Sequence, residues 1–287
     1  MWGASAFEPR PAAVLEPAPP VVLTVAGSDS GGAAGIQADL KTFAAHRVFG
    51  ATVVTTLTAQ NTVRVDRIAP VPTAFVAAQL EAVLDDLPVR AVKTGMLATA
   101  ATVALLAEYA ERLPHLVVDP VLVSSDGYPL FDGRTQRAYL ELLFPHASVV
   151  TPNAREAGML LGRPVSTLDE AVAAAETLAA ETGVRCVVVK GGGHGVCDPT
   201  GAVEAVDVVW QAGEIELLTA PWVETANTRG SGCTFAAATA ARLACGDPTP
   251  AALRAAKWYV NRAIVGSAGW RLGAGRGPLA WEWTSGH

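Results

Sequence analysis

Residues 21–43 read VVLTVAGSDSGGAAGIQADLKTF, and this stretch carries the clearest information about the fold. Val21–Ala26 is a short apolar run of the kind that forms a buried strand. Gly27–Gly35 is rich in glycine and serine, and the apolar residues of Ala34–His46 recur at helical spacing. The stretch therefore predicts a strand, a polar loop and a helix in succession.

The loop differs from the two common nucleotide-binding loops, because neither G-x-G-x-x-G nor G-x-x-x-x-G-K-[ST] occurs in the chain. Its glycines would let a ligand approach the backbone closely, and Asp29 can accept hydrogen bonds from one. An ordinary strand-to-helix turn explains the same residues, so the loop alone leaves both interpretations open.

The same alternation of short apolar runs and longer alanine- and leucine-rich segments continues along the chain. Further strands are predicted at Thr52–Leu57, Ala91–Lys93, Leu116–Asp119, Ser148–Val150 and Cys186–Lys190, with an antiparallel pair at Val203–Val209 and Ile215–Thr219. Further helices are predicted at Thr73–Leu84, Thr99–Arg112, Ser166–Glu181, Thr234–Ala244 and Ala251–Val265. This order predicts an α/β fold with a central, mainly parallel sheet and helices on both faces.

Composition excludes several classes of protein. The 287 residues are 51% hydrophobic, which is enough for a large core, and the net charge of −6 argues against binding nucleic acid. No apolar run reaches the roughly 18 residues of a membrane span, and residues 1–20 do not resemble a secretory signal. We predict a flexible tail at 1–20 and a single domain at 21–287.

The four cysteines, Cys186, Cys197, Cys233 and Cys245, form no C-x-x-C pair. In a chain of this size that spacing argues against a disulfide framework and against a zinc site. A reducing cytoplasm is therefore the expected compartment.

A second glycine-containing segment, Asn227–Cys233, leads directly into an alanine-rich helix. Free backbone amides at a helix start bind anions, and Gly230, Ser231 and Gly232 would let a phosphate come close. The same amides lower the pKa of a thiol, so Cys233 could act as a base towards a hydroxyl group or bond to one. The alternative is a small buried apolar residue.

Three other predicted strands end in polar residues. Asp119 and Lys190 each follow a strand, and the carboxyl ends of parallel strands meet at one edge of a sheet. After a third strand, Asn153 and Glu156 have the spacing of a helix capping box. The same Glu156 could instead hold Mg²⁺ through water beside a nucleotide phosphate, and the spacing alone does not decide between these roles.

These segments resemble the hydroxymethylpyrimidine/phosphomethylpyrimidine kinases in eight ordered motifs between residue 21 and residue 279. The matching runs are Ala26–Asp29, Gly35–Phe43, Leu57–Thr62, Val92–Leu97, Val118–Val121, Val150–Asn153 with Glu156–Ala157, Val189–Gly192 and Gly230–Cys233. The resemblance implies a ribokinase-like fold and ATP-dependent phosphorylation of 4-amino-5-hydroxymethyl-2-methylpyrimidine, first to its monophosphate and then to its diphosphate, in thiamine biosynthesis.

The resemblance also implies roles for individual residues. The expected pyrimidine pocket comprises Gly27, Asp39, Gln60, Met96, Val121 and Cys233. Residues expected at the ATP and Mg²⁺ side are Asn153, Lys190, Asp119 and Glu156. Gly230, Ser231, Gly232 and Cys233 would form the anion hole for the transferred phosphoryl group. The resemblance further suggests a homodimer.

Four positions depart from the family pattern. Ala33 replaces the usual third glycine of the opening loop, which is expected to limit its backbone freedom slightly, and Arg229 stands where histidine is usual. A lysine or small hydroxyl residue is common near Ser125, where a charged loop contact is expected to be absent, and residues 191–195 carry an additional glycine. Two other functions therefore remain to be weighed: a pyridoxal-type kinase, and a pyrimidine-binding protein without catalytic activity.

Overall fold

The computed structural model describes residues 17–122, 133–197 and 203–281, without the side chains of 192–197. Nine strands form one sheet in the order β3-β2-β1-β4-β5-β6-β7-β8-β9. The strands are β1 Val21–Asp29, β2 Phe49–Gln60, β3 Val65–Pro70, β4 Val89–Thr94, β5 Leu116–Val118, β6 Val149–Val150, β7 Cys186–Cys197, β8 Val203–Gln211 and β9 Glu214–Pro221. The helices are α1 Gly35–Ala45, α2 Thr73–Leu84, α3 Ala100–Glu108, α4 Gly133–Ala138, α5 Ala154–Leu161, α6 Leu168–Thr182, α7 Ser231–Ala244 and α8 Thr249–Ser267.

The predicted mainly parallel sheet is confirmed. Strands β2, β1, β4, β5, β6 and β7 pair in parallel, while β3, β8 and β9 are antiparallel additions at the two edges. Strand β3 was not predicted, because its residues are almost all exposed and show no apolar alternation. The predicted tail of residues 1–20 lies outside the described residues except for 17–20.

Strands β1, β4, β5, β6 and β7 each contribute side chains to two separate cores. In β5, Leu116 and Val118 pack with α2, α3, α5 and α6, whereas Val117 faces the opposite core built on α1, α7 and α8. Strand β7 alternates in the same way, with Val187 and Val189 on one face and Val188 on the other. This alternation confirms that helices cover both faces, and it explains why buried parallel strands read as unbroken apolar runs.

Two element boundaries differ from the prediction in ways that affect the site. Helix α7 begins at Ser231 with Gly230 as its N-cap, three residues before the predicted start, so Cys233 lies in its first turn. Strand β7 continues to Cys197, beyond the predicted end at Lys190, with a register shift against β8 between Lys190 and Gly195. Ser125 lies outside the described residues, so its departure has no structural outcome.

No helix within residues 17–122, 133–197 or 203–281 combines the length and the apolar character that crossing a bilayer requires.

Candidate functional site

A cavity of about 520 Å³ lies at the carboxyl ends of the parallel strands. One end is formed by strands β1, β2 and β4 and includes Gly27, Asp29, Gln60, Met96 and Val121. The other end is formed by β8, β9, α7 and α8. The first turn of α7, together with Asp119, Asn153, Glu156 and Lys190, lies between them. All but one of the residues predicted for the site therefore line a single cavity.

The centre of the cavity is the N-terminus of α7. The amides of Gly232 and Cys233 belong to the first turn of this helix and have no carbonyl partner within it, so they are free to donate to an anion. Gly230 adopts a φ of 84°, and a β-carbon there would lie 1.9 Å from the carbonyl oxygen of Ala33. Only glycine fits this close contact, through which the start of α7 packs against the opening loop.

Ala33 does not restrict that loop. It is 3% exposed, and it is absent from the non-glycine residues of the described chain that have a positive φ. The replacement of glycine by alanine therefore brings no backbone strain at this position, because the residue adopts a conformation that any amino acid can take.

Lys190 and Asp119 form an ion pair beside the helix start. Lys190 Nζ lies 2.8 Å from Asp119 Oδ1, and only 11% and 3% of the two side chains is exposed. A β-carbon at Gly232 would lie 3.1 Å from Lys190 Nζ. The pair thus places an ammonium group next to the free amides of α7, where it can neutralise part of a phosphate's charge.

Glu156 has the capping-box role that its spacing predicted. Its Oε2 accepts a hydrogen bond from the backbone amide of Asn153, and Asn153 Oδ1 accepts one from the amide of Glu156. Burial and the negative charge of Asp119 raise the pKa of Glu156 to about 8. Two carboxylates that repel one another across a buried site are an arrangement that a divalent cation stabilises.

The donor set fits Mg²⁺ bound mainly through water and phosphate oxygens. Within the described residues there is no group of three or more histidine, cysteine, aspartate or glutamate side chains able to hold a metal ion. Mg²⁺ beside a nucleotide commonly uses only one or two carboxylates, with water and phosphate supplying the other ligands. Asp119 and Glu156 can supply those carboxylates.

The thiol of Cys233 departs from the prediction. Burial raises its pKa to about 11, although the positive charge of Lys93 and a hydrogen bond from the Gly35 amide act in the opposite direction. The expectation that the helix start lowers this pKa is therefore wrong for the ligand-free protein. Desolvation of the sulfur outweighs the charge of Lys93 and the Gly35 hydrogen bond, so the pKa of about 11 favours the neutral thiol near pH 7.

Asp39 does not line the cavity, in contrast to the prediction. Its side chain is fully buried beneath the site, where Oδ2 lies 2.8 Å from Lys93 Nζ and accepts a hydrogen bond from Thr24. Lys93 itself lines the cavity. The pKa of Lys93 is raised because the charges of Asp39, Cys233 and Asp119 outweigh its burial. Asp39 therefore holds a cation that faces the site.

Asp29 organises the opening loop. Its Oδ1 accepts a hydrogen bond from the Gly31 amide, and its Oδ2 accepts from the amides of Ala33 and Ala34. Because both oxygens are already engaged, the carboxylate acts as a turn-forming group at the cavity wall. This contact pattern favours the turn interpretation over direct hydrogen bonding to a ligand.

Arg229 holds the side chain of Gln60 at the end of the cavity formed by β1, β2 and β4. Arg229 Nη2 donates to Gln60 Oε1 over 2.9 Å, and Arg229 is 4% exposed. Since arginine only donates, the contacted atom of Gln60 must be the oxygen. The amide nitrogen of Gln60 is therefore left to donate to a ligand that presents a hydrogen-bond acceptor.

The far end of the cavity is a largely apolar compartment that the sequence did not suggest. Its walls come from β8, β9, α7 and α8, and its apolar residues are Ala205, Ala220, Phe235, Val260 and Ile264. Lys257 and Asp207 form a buried ion pair of 2.9 Å at its border, and Asp207 also accepts from the Gly191 amide.

The sequence did not predict that Lys93 lines the site or that the cavity has an apolar end. It also did not predict that Arg229 contacts Gln60. Lys93 lies in the run Val92–Leu97, so the motif located it without giving its role. The apolar residues resemble those of any core-facing helix or strand, and only the tertiary structure places them around a cavity.

Comparisons with known proteins identify the family of the chain. Residues 29–280 match the family model described as phosphomethylpyrimidine kinase. The chain is 43% identical over 260 residues to the hydroxymethylpyrimidine/phosphomethylpyrimidine kinase of Rhizobium meliloti (strain 1021), covering 90% of this chain and 96% of that one.

Solved structures agree with the fold. The phosphomethylpyrimidine kinase of Clostridium difficile 630 superposes with a TM-score of 0.73 at 34% identity, covering 85% of this chain and 99% of that one. The Staphylococcus aureus pyridoxal kinase in complex with AMP-PCP and pyridoxal gives a TM-score of 0.81 at 33% identity, covering 93% and 94%. The predicted ribokinase-like fold is confirmed, and the chain belongs to the phosphomethylpyrimidine kinase family.

Proposed function

We propose that this chain uses ATP to phosphorylate 4-amino-5-hydroxymethyl-2-methylpyrimidine to its monophosphate and then to its diphosphate, as a step of thiamine biosynthesis. The proposal rests on the hydrogen-bond donors and the positive charge that lie together at the centre of the cavity. The free amides of Gly232 and Cys233 and the ammonium of Lys190 converge where a phosphoryl group would pass between two ligands.

The acceptor is assigned to the end of the cavity formed by β1, β2 and β4. Gln60 donates from its amide nitrogen to a ring nitrogen of the pyrimidine, which is an acceptor. Met96, Val121 and Gly27 supply a close apolar wall for a planar ring. A β-carbon at Gly27 would lie 2.6 Å from the Thr56 side chain, so glycine at this position lets β1 pack closely against β2 at the wall of the cavity.

ATP is assigned to the other end and to the centre. The apolar compartment between β8, β9, α7 and α8 accommodates a base, as expected for small-molecule sites that are mostly apolar. Its phosphates extend towards Asn153, Lys190 and Asp119. Asp119 and Glu156 would hold Mg²⁺ together with water, and the ion would neutralise part of the charge of the phosphates. The AMP-PCP complex of the Staphylococcus aureus relative supports this use of a nucleotide.

In the first reaction the acceptor hydroxyl oxygen forms a bond to the γ-phosphorus, the bond to the β,γ-bridging oxygen breaks, and ADP leaves. The amides of Gly232 and Cys233 and the Lys190 ammonium stabilise the transferred group. Cys233 contacts the acceptor oxygen and receives its proton when ionised. In the second reaction the attacking oxygen belongs to a phosphate that already carries negative charge, so no base is required.

The decisive experiment is product analysis by ³¹P NMR after incubating the purified protein with ATP, MgCl₂ and either the alcohol or its monophosphate. The proposal predicts the monophosphate and the diphosphate respectively, with ADP formed in equal amount. Absence of both products would exclude it. Tight pyrimidine binding without phosphate transfer would instead indicate a non-catalytic binding protein.

A pyridoxal-type kinase is the second candidate, and the similarity to the pyridoxal kinase of Staphylococcus aureus favours testing it. Polar groups in a pocket discriminate against rings that leave them unpaired. The ratio of kcat/KM for the pyrimidine to that for pyridoxal decides between the two, and the proposal expects a ratio well above one.

Two further parts of the proposal concern the whole protein. The exposed apolar residues Leu57, Ile68 and Phe75 lie on or beside the β2–β3 edge of the sheet, which supports a homodimer that covers them. Light scattering of the purified chain tests this assembly. The thiols Cys186, Cys233 and Cys245 are free, which supports a reducing cytoplasm as the working compartment.

A further inference from the structure

Arg229 is a buried cation whose charge is not balanced by a carboxylate within the described residues. It lines the acceptor end of the cavity and is 4% exposed, and its one recorded side-chain hydrogen bond goes to the neutral amide oxygen of Gln60. Its Nη1 is buried and has no hydrogen-bond partner among the described residues. Burying such a donor without a partner is unfavourable, so an acceptor group supplied by a ligand would stabilise the site.

The other buried cations of the cavity are all paired. Lys93 is paired with Asp39, Lys190 with Asp119, and Lys257 with Asp207, at distances of 2.8, 2.8 and 2.9 Å. Arg229 is thus the exception among the buried basic residues that line the described cavity. A buried positive charge without a carboxylate partner is a recognition element for an anion.

The position of Arg229 indicates which anion. The residue immediately precedes Gly230, the N-cap of α7, so its backbone adjoins the phosphoryl-binding amides. Its guanidinium donates to Gln60, which the proposed function assigns to the acceptor end of the cavity. Arg276 lines the same end, and its neighbour Gly277 accepts a hydrogen bond from the Arg229 amide. A phosphate carried by an acceptor bound at this end would have both guanidinium groups near it.

We infer that Arg229 is a specificity-determining residue that binds the phosphate of the monophosphate acceptor, and so favours the second phosphorylation over the first. This inference rests on the proposed function. A guanidinium presents a planar set of donors that matches phosphate oxygens, which the usual histidine of the family does not. The residue at this position sets the balance between the two acceptors in this chain.

The test compares the two acceptors in the Arg229→Gln variant at saturating ATP. Loss of a charge-assisted contact should lower kcat/KM for the monophosphate by about tenfold to a hundredfold. The alcohol, which lacks the phosphate, should lose no more than about threefold, through the looser Gln60. If both acceptors lose the same factor, Arg229 only positions Gln60 and the inference is overturned.

Two control variants separate the possible causes. Gln60→Ala should lower kcat/KM for both acceptors by the same factor, because it removes a ring contact. Arg155→Gln removes an exposed cation that lines the nucleotide side and should not change the preference between acceptors. A changed preference in Arg155→Gln of the size seen in Arg229→Gln would mean that general electrostatics, and not the Arg229 contact, is responsible.

Arg229→Lys guards against a folding defect in the glutamine variant. It keeps the charge but loses the planar donor set, so it should retain part of the monophosphate preference, with a loss of about threefold to tenfold. An unchanged or increased preference would contradict the inference. Calorimetry measures the binding of the monophosphate to the nucleotide-free protein, and it therefore tests the contact independently of catalysis. If wild-type protein transfers no phosphate, the proposed function fails, while weaker binding of the monophosphate to Arg229→Gln would still support the assigned contact.

Discussion

Lys190 Nζ lies 2.8 Å from Asp119 Oδ1, although the two residues stand 71 positions apart in the chain. The pair joins Lys190 within β7 to Asp119, the residue that follows β5, next to the first turn of α7. Because the carboxylate holds the ammonium in place, the positive charge faces the phosphoryl site before any ligand arrives. Preorganised charge of this kind needs no rearrangement at the moment of transfer.

Replacing Lys190 with methionine should remove that charge and leave Asp119 buried without its partner. We expect kcat to fall by about 10²–10³-fold for both acceptors. The free energy of unfolding should fall by about 3–5 kcal/mol, as is usual when one member of a buried pair is removed. Single-turnover kinetics and urea unfolding measure the two effects.

Lys257→Met is the matched control, since Lys257 and Asp207 form a similarly buried pair away from α7's first turn. It should show a comparable loss of stability with a much smaller fall in kcat at saturating ATP. Equal losses of kcat in the two variants would mean that Lys190 acts only through stability.

Two glycines at the same helix start should respond differently to alanine. At Gly232 the new methyl group meets the flexible end of Lys190 at 3.1 Å, so Gly232→Ala should fold normally while blocking the phosphoryl site. At Gly230 it would lie 1.9 Å from the backbone oxygen of Ala33, and the φ of 84° is also unfavourable. Gly230→Ala should therefore lose well over about 2 kcal/mol of stability.

Gly183→Ala isolates the conformational part of that cost, because Gly183 has a φ of 70° with nothing within 4 Å of the added carbon. Its expected loss is about 1 kcal/mol. Thermal unfolding and turnover of the three variants check the prediction, and a fully active Gly232→Ala enzyme would contradict the assigned phosphoryl site.

The raised pKa of Glu156 predicts how stability depends on pH. The native carboxyl has a pKa of about 8 against an ordinary value of 4.5, so the native state binds this proton more tightly than the unfolded state. Its contribution therefore stabilises the fold at low pH and is lost as the pH rises towards 8 and beyond. Glu156→Gln should have a Tm at pH 9 at least about 4 °C above that of ligand-free wild type.

Glu170→Gln provides the comparison, because Glu170 closes a similar capping box at α6 on the exposed surface and its pKa is lowered by the amides it accepts from. This variant should not raise the Tm at pH 9. MgCl₂ with ATP should reduce the pH dependence of wild type, and an identical pH profile for wild type and Glu156→Gln would show that the carboxyl is not protonated in the native state.

Cys233 should contribute to the first phosphorylation in a pH-dependent manner. Since the pKa of its thiol is about 11 in the free protein, the thiolate fraction rises with pH throughout the range from 7 to 9. The advantage of wild type over Cys233→Ala with the alcohol should grow by up to about tenfold per pH unit. With the monophosphate the advantage should be small and nearly constant. A constant ratio for the alcohol would mean that the sulfur serves by contact alone.

Sequence patterns were sufficient for the scaffold because buried parallel strands and their covering helices leave local signatures. The apolar composition of Val21–Ala26 and of the segment at β7 is enough to predict a buried strand in each. Strand β3 left no such signature, since its exposed residues are held by pairing with β2 and not by burial.

The site could be located from sequence but not fully interpreted. The motifs identified the segments that meet at the cavity, yet Asp39 was assigned to its lining and in fact lies beneath it. The pKa of Cys233 could not be inferred either, because helix position favours the thiolate while burial opposes it, and only the packed structure gives the balance. The contact between Arg229 and Gln60 spans 169 positions, a separation that no local pattern reports.

The contact of Gly230 with the Ala33 carbonyl has a consequence for biosynthesis of the protein. The loop that follows β1 leaves the ribosome early, whereas the start of α7 emerges only after some two hundred further residues have been added. A nascent chain that stops short of α7 has an acceptor half without the amides that receive the phosphoryl group. Truncated products of this chain therefore cannot transfer phosphate from ATP.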